Sequence, residues 1–259
     1  MRIARFAFEG VVGYGVVEGD PTGPLEALEI AIIKNHPFGE IELTDKRLPL
    51  PAVRLLSPVL PSKICAFGRT YAEHAAELGN EVAKEPLMFL KPSTSVAGPG
   101  DVIRLPEMSS DVQHEAELAV VIGSLCKDVV AERAHEVILG YTCANDVTAR
   151  DLQRSDGQWS RAKGFDTFCP LGPWIETRLD PADLAVSCHI DDRVAQDGRT
   201  SEMVFSVADL VAYTSRIMTL LPGDVILTGT PAGVSTLHAG DTVEVRIEGI
   251  GSLINSVSN

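Results

Sequence analysis

A chain of 259 residues can bury one large core or two unequal ones, so neither disulfides nor metals are needed merely to keep it folded. Hydrophobic residues make up 45% and charged residues 22%, which excludes a disordered or fibrous chain. The 22 Lys and Arg against 36 Asp and Glu give a net charge of −14, and a surface this acidic repels phosphate backbones and anionic lipid headgroups, excluding nucleic-acid and membrane partners. The same field repels an anionic substrate, so a site for a carboxylic acid needs local positive charge. A metal ion with nearby Lys or Arg supplies it.

The opening M-R-I-A-R-F-A-F-E-G lacks a signal-peptide apolar region, and no apolar run reaches the roughly 18 to 20 residues of a bilayer helix, so a cytoplasmic location is expected. In chain order, I-A-R-F-A-F and V-V-G-Y-G-V-V read as strands punctuated by G-D-P-T-G-P. Pro49, Pro51, Pro58 and Pro61 then forbid a helix and favour an extended connector. A small β-rich N-terminal domain over residues 1–58 and a larger domain over 59–259 are therefore expected.

Beyond the connector, strands are expected at V-I-R-L, E-A-E-L-A-V-V-I-G, V-I-L-G-Y-T-C-A, L-A-V-S-C-H-I, G-D-V-I-L-T-G and D-T-V-E-V-R-I. Helical periodicity appears near Tyr71 to Leu78, Ala131 to Leu139 and Val207 to Leu220. This order predicts a strand-dominated α+β fold around a rolled or barrel-like sheet. The five cysteines are odd in number, scattered and never spaced C-x-x-C, so they read as reduced, buried apolar residues.

Chemistry concentrates in Q-H-E-A-E-L-A-V-V-I-G. Glu115 and Glu117 are two apart on a strand and so share a face, which Ala119 and Val121 continue as apolar. Ala116, Leu118, Val120 and Ile122 line the other face. Two like charges at a burial edge are driven towards protonation unless a cation neutralises them. All-oxygen ligation selects a hard cation, Mg²⁺ or Mn²⁺. The third carboxylate is Asp146 or Asp151, both in C-A-N-D-V-T-A-R-D after a strand, and spacing does not choose between them. Lys163 is expected in a Gly- and Pro-flanked loop. On a short helix that Gly79 terminates, His74 and Glu77 are at i and i+3, close enough for the carboxylate to orient the imidazole.

Taken together, G-R-T-Y-A-E-H, F-L-K-P-S, H-E-A-E-L, N-D-V-T-A-R-D, the Lys of W-S-R-A-K-G-F-D-T-F-C-P-L-G-P, and G-D-V-I-L-T-G-T-P-A-G-V resemble, in order and spacing, the motifs of the fumarylacetoacetate hydrolase family over about residues 60–259. The resemblance implies that family's mixed β-sandwich roll and a metal held by Glu115, Glu117 and Asp146, which decides against Asp151. It places Lys163 beside the metal and His74 with Glu77 on a segment that closes over it. Thr230, through its hydroxyl and backbone N–H, and Arg69, Arg150 and Gln153 become candidate substrate contacts, with pairing to Asp151 the other reading of Arg150. The implied partner is a small 2-oxo acid and the implied assembly a homodimer or dimer of dimers. The implied activity is C–C cleavage of a 2,4-dioxo acid or decarboxylation of oxaloacetate. The alternatives are a 2-hydroxyhepta-2,4-diene-1,7-dioate isomerase, or the decarboxylase of its carboxylated precursor, and a non-catalytic 2-oxo-acid binding protein.

Overall fold

The computed structural model describes residues 1–20, 23–81 and 83–259; Pro21 and Thr22 of the expected turn G-D-P-T-G-P lie outside them. The chain opens on β1 (Arg2–Phe8) and β2 (Val11–Glu18), an antiparallel hairpin. Its two connecting residues, Glu9 at φ 48° and Gly10 at φ 80°, both take the left-handed geometry that matches strand twist in a tight hairpin. β3 (Glu29–Ile33) and β4 (Leu43–Pro49) continue the meander.

Past the proline-rich connector come β5 (Ile64–Gly68), α1 (Ala72–Glu77), β6 (Leu87–Lys91), β7 (Ala116–Ile122) and β8 (Ile138–Asn145). Two short helices follow, α2 (Arg150–Asp156) and α3 (Ser160–Lys163), then β9 (Cys169–Glu176), β10 (Ala185–Ile190) and β11 (Arg193–Arg199). The chain ends with α4 (Val207–Ile217), β12 (Val225–Leu227), β13 (Thr242–Ile247) and β14 (Gly251–Ser258). No helix among the described residues is long and apolar enough to cross a membrane.

The large sheet runs β4-β3-β2-β1-β9-β8-β7-β12-β5-β6, with two shorter strands attached. β1 joins β9 through Arg2↔Glu176 and Ile3↔Ile175, so the N-terminal strands extend the sheet that carries the carboxylates. A second, five-stranded sheet orders β11-β10-β13-β14 and the Val102–Arg104 strand. β7 is buried along its whole length and divides the interior. Leu118, Val120 and Ile122 face a core shared with Val186, Cys188, Val243, Val245 and Leu253 of the second sheet. Ala119 and Val121 face another core with Ile3, Ile33, Ile64, Leu171 and Val225. Ile33 and Ile64 come from opposite ends of the large sheet, so the sheet curls to enclose its own face. The fold is thus the expected strand-dominated α+β roll.

Two expected helices form. α1 ends in a Schellman motif, with Gly79 at φ 69° and the N–H groups of Gly79 and Asn80 donating to Ala76 and Ala75 carbonyls at 2.9 and 2.8 Å. α4 starts at a capping box in which Ser206 and Asp209 satisfy each other's backbone N–H. The helix expected near Ala131 to Leu139 is instead a 3₁₀ segment, Ala131–Glu136, because Ile138 enters β8 and pairs with Ile122. The loop expected around Lys163 is α3, and α2 precedes it. Both are too short and polar to show an apolar period, and Gly157 at φ 70° separates them.

Candidate metal centre and active site

Antiparallel register brings the carboxylates together. Ala116 of β7 faces Asn145 of β8, so Glu115 and Asp146 lie at adjacent strand ends, joined by the Asp146 N–H donating to the Glu115 carbonyl at 2.8 Å. Asn145 Oδ1 accepts the Glu115 N–H at 2.9 Å and fixes the entry to β7. One residue pair into the strand, Glu117 projects on the same face, and its Oε2 accepts the Gly229 N–H at 2.6 Å. Gly229 sits at φ 94°, and a Cβ there would lie 1.8 Å from Thr70 Oγ1, so only glycine permits this approach.

One ligand atom each from Glu115, Glu117 and Asp146 lies within 4.8 Å of the other two, and the three residues are 4%, 1% and 0% exposed. Glu117 Oε1 has no hydrogen-bond partner. An unpartnered buried carboxylate oxygen facing two other carboxylates is what a cation site leaves when only protein atoms are counted. The donor set, all hard oxygen, fits Mg²⁺ or Mn²⁺. Burial, then Asp146 and Glu115, push the Glu117 pKa well up, so the protein alone does not hold all three charges. Burial also works to raise Glu115, but Lys163 and Arg150 outweigh it and hold that carboxyl below its usual range.

The compensating cations are buried too. Lys163 Nζ donates to Glu115 Oε2 at 2.8 Å and Asp146 Oδ2 at 2.6 Å, and those carboxylates, against the lowering effect of burial, raise its pKa. Lys91 donates to Asp146 Oδ1 and to the Val147 carbonyl. Arg150 spends its guanidinium on Gln113 Oε1 at 2.9 Å, Gln153 Oε1 at 2.7 Å and Glu115 Oε1 at 2.5 Å. Arg150 therefore pairs with Glu115 rather than Asp151, whose carboxylate accepts from Ser109 and Ser110. Lys91, Lys163 and Arg150 match the three carboxylates in number, but they donate to Glu115 and Asp146 and none donates to Glu117, the carboxyl the protein alone does not keep charged. A divalent cation added to that set leaves an excess of positive charge, which reverses the acidic field of the whole chain locally.

A cavity of about 440 Å³ opens on this cluster, lined by Arg69, His74, Glu77, Glu115, Glu117, Arg150, Gln153, Lys163 and Thr230. Asp146 lies behind it, wholly buried. His74 Nδ1 and Glu77 Oε2 share a 3.0 Å hydrogen bond, and Glu77 Oε1 accepts the Gly233 N–H at 3.0 Å, tying α1 to the loop after β12. Trp159 walls the cavity and stacks edge-on against Phe89, whose ring lies 5.0 Å from Lys163 Nζ.

Thr230 lines the cavity, but its hydroxyl is spent elsewhere. Oγ1 donates to the Ala116 carbonyl at 2.8 Å and accepts from Gln196 Nε2 at 2.7 Å. Gln196 is the hub of a buried network: its Oε1 accepts from the Ala116 N–H and from His114 Nδ1, each at 2.9 Å. His114 Nε2 in turn accepts the Ser235 N–H at 3.2 Å. Burial lowers the His114 pKa to about 4, keeping the imidazole neutral. Sequence reasoning missed Lys91, His114 and Gln196 as parts of this site. A charge closing the apolar run L-M-F-L-K marked Lys91; Gln196, in R-V-A-Q-D-G-R, gave no signal.

A family model described as fumarylacetoacetate (FAA) hydrolase C-terminal matches residues 63–258, and one described as Rv2993c-like, N-terminal matches residues 1–58. The crystal structure of a 2-hydroxyhepta-2,4-diene-1,7-dioate isomerase from Mycobacterium marinum is 49% identical with a TM-score of 0.93, covering 100% of this chain and 98% of that one. The rat mitochondrial oxaloacetate tautomerase Fahd2a is 40% identical over 270 residues, 96% of this chain and 86% of the relative. A maleylpyruvate hydrolase from Sphingobium sp. SYK-6, solved with manganese(II) and pyruvate, is 31% identical with a TM-score of 0.79, covering 100% and 99% of the two chains.

Proposed function

The chain belongs to the fumarylacetoacetate hydrolase family, and from that premise we propose that it is a divalent-metal-dependent enzyme cleaving a C–C bond in a small 2-oxo or 2,4-dioxo acid, as an acylpyruvate hydrolase, an oxaloacetate decarboxylase or both. The observation that carries this reading is the His74–Glu77 pair lining the same cavity as Glu115, Glu117 and Lys163. A base poised over an electron sink is the arrangement that hydrolysis of a 2,4-dioxo acid needs.

Glu115, Glu117 and Asp146 would hold Mg²⁺ or Mn²⁺, which when bound would supply Lewis acidity to the 2-oxo acid end of the substrate. His74, with Nδ1 turned to Glu77, offers Nε2 to a water molecule and takes its proton as the water oxygen attacks the distal carbonyl. Glu77, fixed by the Gly233 N–H, offsets the charge that develops on the imidazole. The C–C electron pair then passes to the 2-oxo oxygen of the departing pyruvate portion, where the Lys163 ammonium stabilises it. Protonation at carbon completes pyruvate. With oxaloacetate the same electron shift follows loss of CO₂ and needs no attacking water.

The isomerase and tautomerase relatives favour a second reading, in which His74 moves a proton between carbon atoms, or between carbon and oxygen, of the same enolate instead of activating water. One assay tests both. The purified protein with Mg²⁺ or Mn²⁺ is given acetylpyruvate, oxaloacetate and 2-hydroxyhepta-2,4-dienedioate, then excess EDTA. Pyruvate release that stops with EDTA supports the cleavage reading. Isomerisation without pyruvate moves the assignment to the second, and full activity in EDTA overturns the metal site.

A further inference from the structure

Ala116 lies between the two glutamates on β7. The peptide groups of Glu115 and Glu117 face β8, so those of Ala116 face the other way, towards β12. On that side the neighbouring strand has already ended. β12 pairs with β7 only over Ala119 to Val121, and its last backbone contact is the Thr228 N–H on the Leu118 carbonyl at 3.2 Å. Ala116, fully buried, would be left with an unmet N–H and carbonyl. Two side chains meet them instead. Gln196 Oε1 accepts the N–H at 2.9 Å, and the Thr230 hydroxyl donates to the carbonyl at 2.8 Å while accepting from Gln196 Nε2 at 2.7 Å. An amide and a hydroxyl stand where a strand would be.

Gln196 has no capacity beyond this. Nε2 also donates to the Pro231 carbonyl at 2.7 Å and Oε1 also accepts from His114 Nδ1 at 2.9 Å, so all four of its hydrogen bonds are made. The Ser235 N–H points at His114 Nε2, which keeps the ring proton on Nδ1 and the amide oxygen turned to Ala116. The register of β10 with β11 slips between Cys188↔Gln196 and His189↔Val194, a bulge that leaves Ala195 over and turns Gln196 inward.

We propose that Gln196, oriented by His114, is a positioning residue for the metal centre, fixing the Ala116 peptide that spaces Glu115 from Glu117 and docking residues 229–231 against it. Gln196 does not line the cavity, and none of its four bonds reaches a carboxylate. It acts through Ala116 on both glutamates, and through Pro231 on Gly229, whose N–H holds Glu117 Oε2. Repulsion among the buried carboxylates works to spread this strand end, and the clamp opposes it. A site held ready in this way binds its ion more tightly without any added ligand.

This role presupposes the divalent-metal reading above, and the experiment separates the two. Mn²⁺ calorimetry and electron paramagnetic resonance of the bound ion, without substrate, compare wild type with Q196M, T230V and C188A. Methionine keeps the length of glutamine and removes the amide; valine keeps the shape of threonine and removes the hydroxyl. Cys188 is buried opposite Gln196 on β10, so C188A reports what a looser core costs at the same place. Q196M should weaken Mn²⁺ binding by about 10- to 100-fold, the usual loss when a group that orients ligands is removed, and should broaden the Mn²⁺ resonance. T230V, which cuts one of the two links, should weaken it less, and T230S should restore most of that loss. C188A should lower the melting temperature and leave the Mn²⁺ Kd unchanged. If wild type binds no Mn²⁺, the metal centre falls and this role with it. If wild type binds it but Q196M binds it equally well, or C188A loses as much affinity, the positioning role alone is overturned. Should Q196M not fold, T230V decides: unchanged Mn²⁺ affinity there overturns the role.

Discussion

Glu117 is the residue on which the site turns, because one of its oxygens is held by the Gly229 N–H and the other by nothing. Without a cation its pKa is pushed well up by burial and by Asp146 and Glu115, so removing its charge relieves a conflict in the metal-free protein. E117Q is therefore expected to melt no lower than wild type in EDTA while losing most of its Mn²⁺ affinity; calorimetry and thermal denaturation together check this. On the proposed reading, His74 should divide the chemistries. H74A should cut acylpyruvate hydrolysis by about 10² to 10⁴, the usual worth of a general base, and oxaloacetate decarboxylation much less. E77Q should give a milder hydrolytic loss, since the imidazole stays and only its orienting charge goes. Equal losses of both activities in H74A would remove the water-activating role.

Among the elements, α1 depends most on a single backbone position. A Cβ at Gly79 would meet nothing within 4 Å, so G79A tests the left-handed conformation alone. It should cost about 1 kcal/mol, concentrated in this one short helix, and should weaken the closure that places His74. Proteolysis within 72–80 should quicken and KM for hydrolysis rise; an unchanged cleavage rate would show that the helix end is held by tertiary contacts instead. The same helix was legible in the sequence because its signals are local: Gly79 stops it and His74 and Glu77 share its face. β7 was legible for the same reason, its two-residue alternation assigning Glu115 and Glu117 to one face and Leu118 to the other. Asp146 needed the family motif, since only pairing with β7 separates it from Asp151. α3, Lys91 and Gln196 were hidden because their roles come from strands 17 to 80 residues away in sequence, at Asp146 and Ala116. The spent hydroxyl of Thr230 was hidden likewise, by Gln196.

At the scale of the whole molecule, the neutral His114 makes folding sensitive to acid. Its folded pKa is about 4, below the ordinary histidine value, so below pH ~6.5 the unfolded chain takes up a proton that the folded chain refuses. That contribution is fully present above pH ~6.5 and is lost as pH falls towards 4, at up to about 1.4 kcal/mol per pH unit. Denaturant midpoints between pH 7 and pH 5 should fall for wild type and flatten in H114Q, after allowing for the carboxylates.

The loop after β12 touches the carboxylate cluster at one end, through Gly229 on Glu117, and α1 at the other, through Gly233 on Glu77. Between these points Thr70, which precedes α1, donates to the Thr228 carbonyl at 2.7 Å and packs where Gly229 has no side chain. Five residues of backbone thus connect the carboxylate cluster to α1. If a bound cation draws Glu117 towards itself, the Gly229 amide should follow, and the change should reach Gly233 and Thr70 without substrate. Amide hydrogen exchange across 71–80 should slow when Mn²⁺ alone is added, and E117Q should abolish the response. The metal would then arm the gate as well as the chemistry, so that an empty centre leaves the door loose.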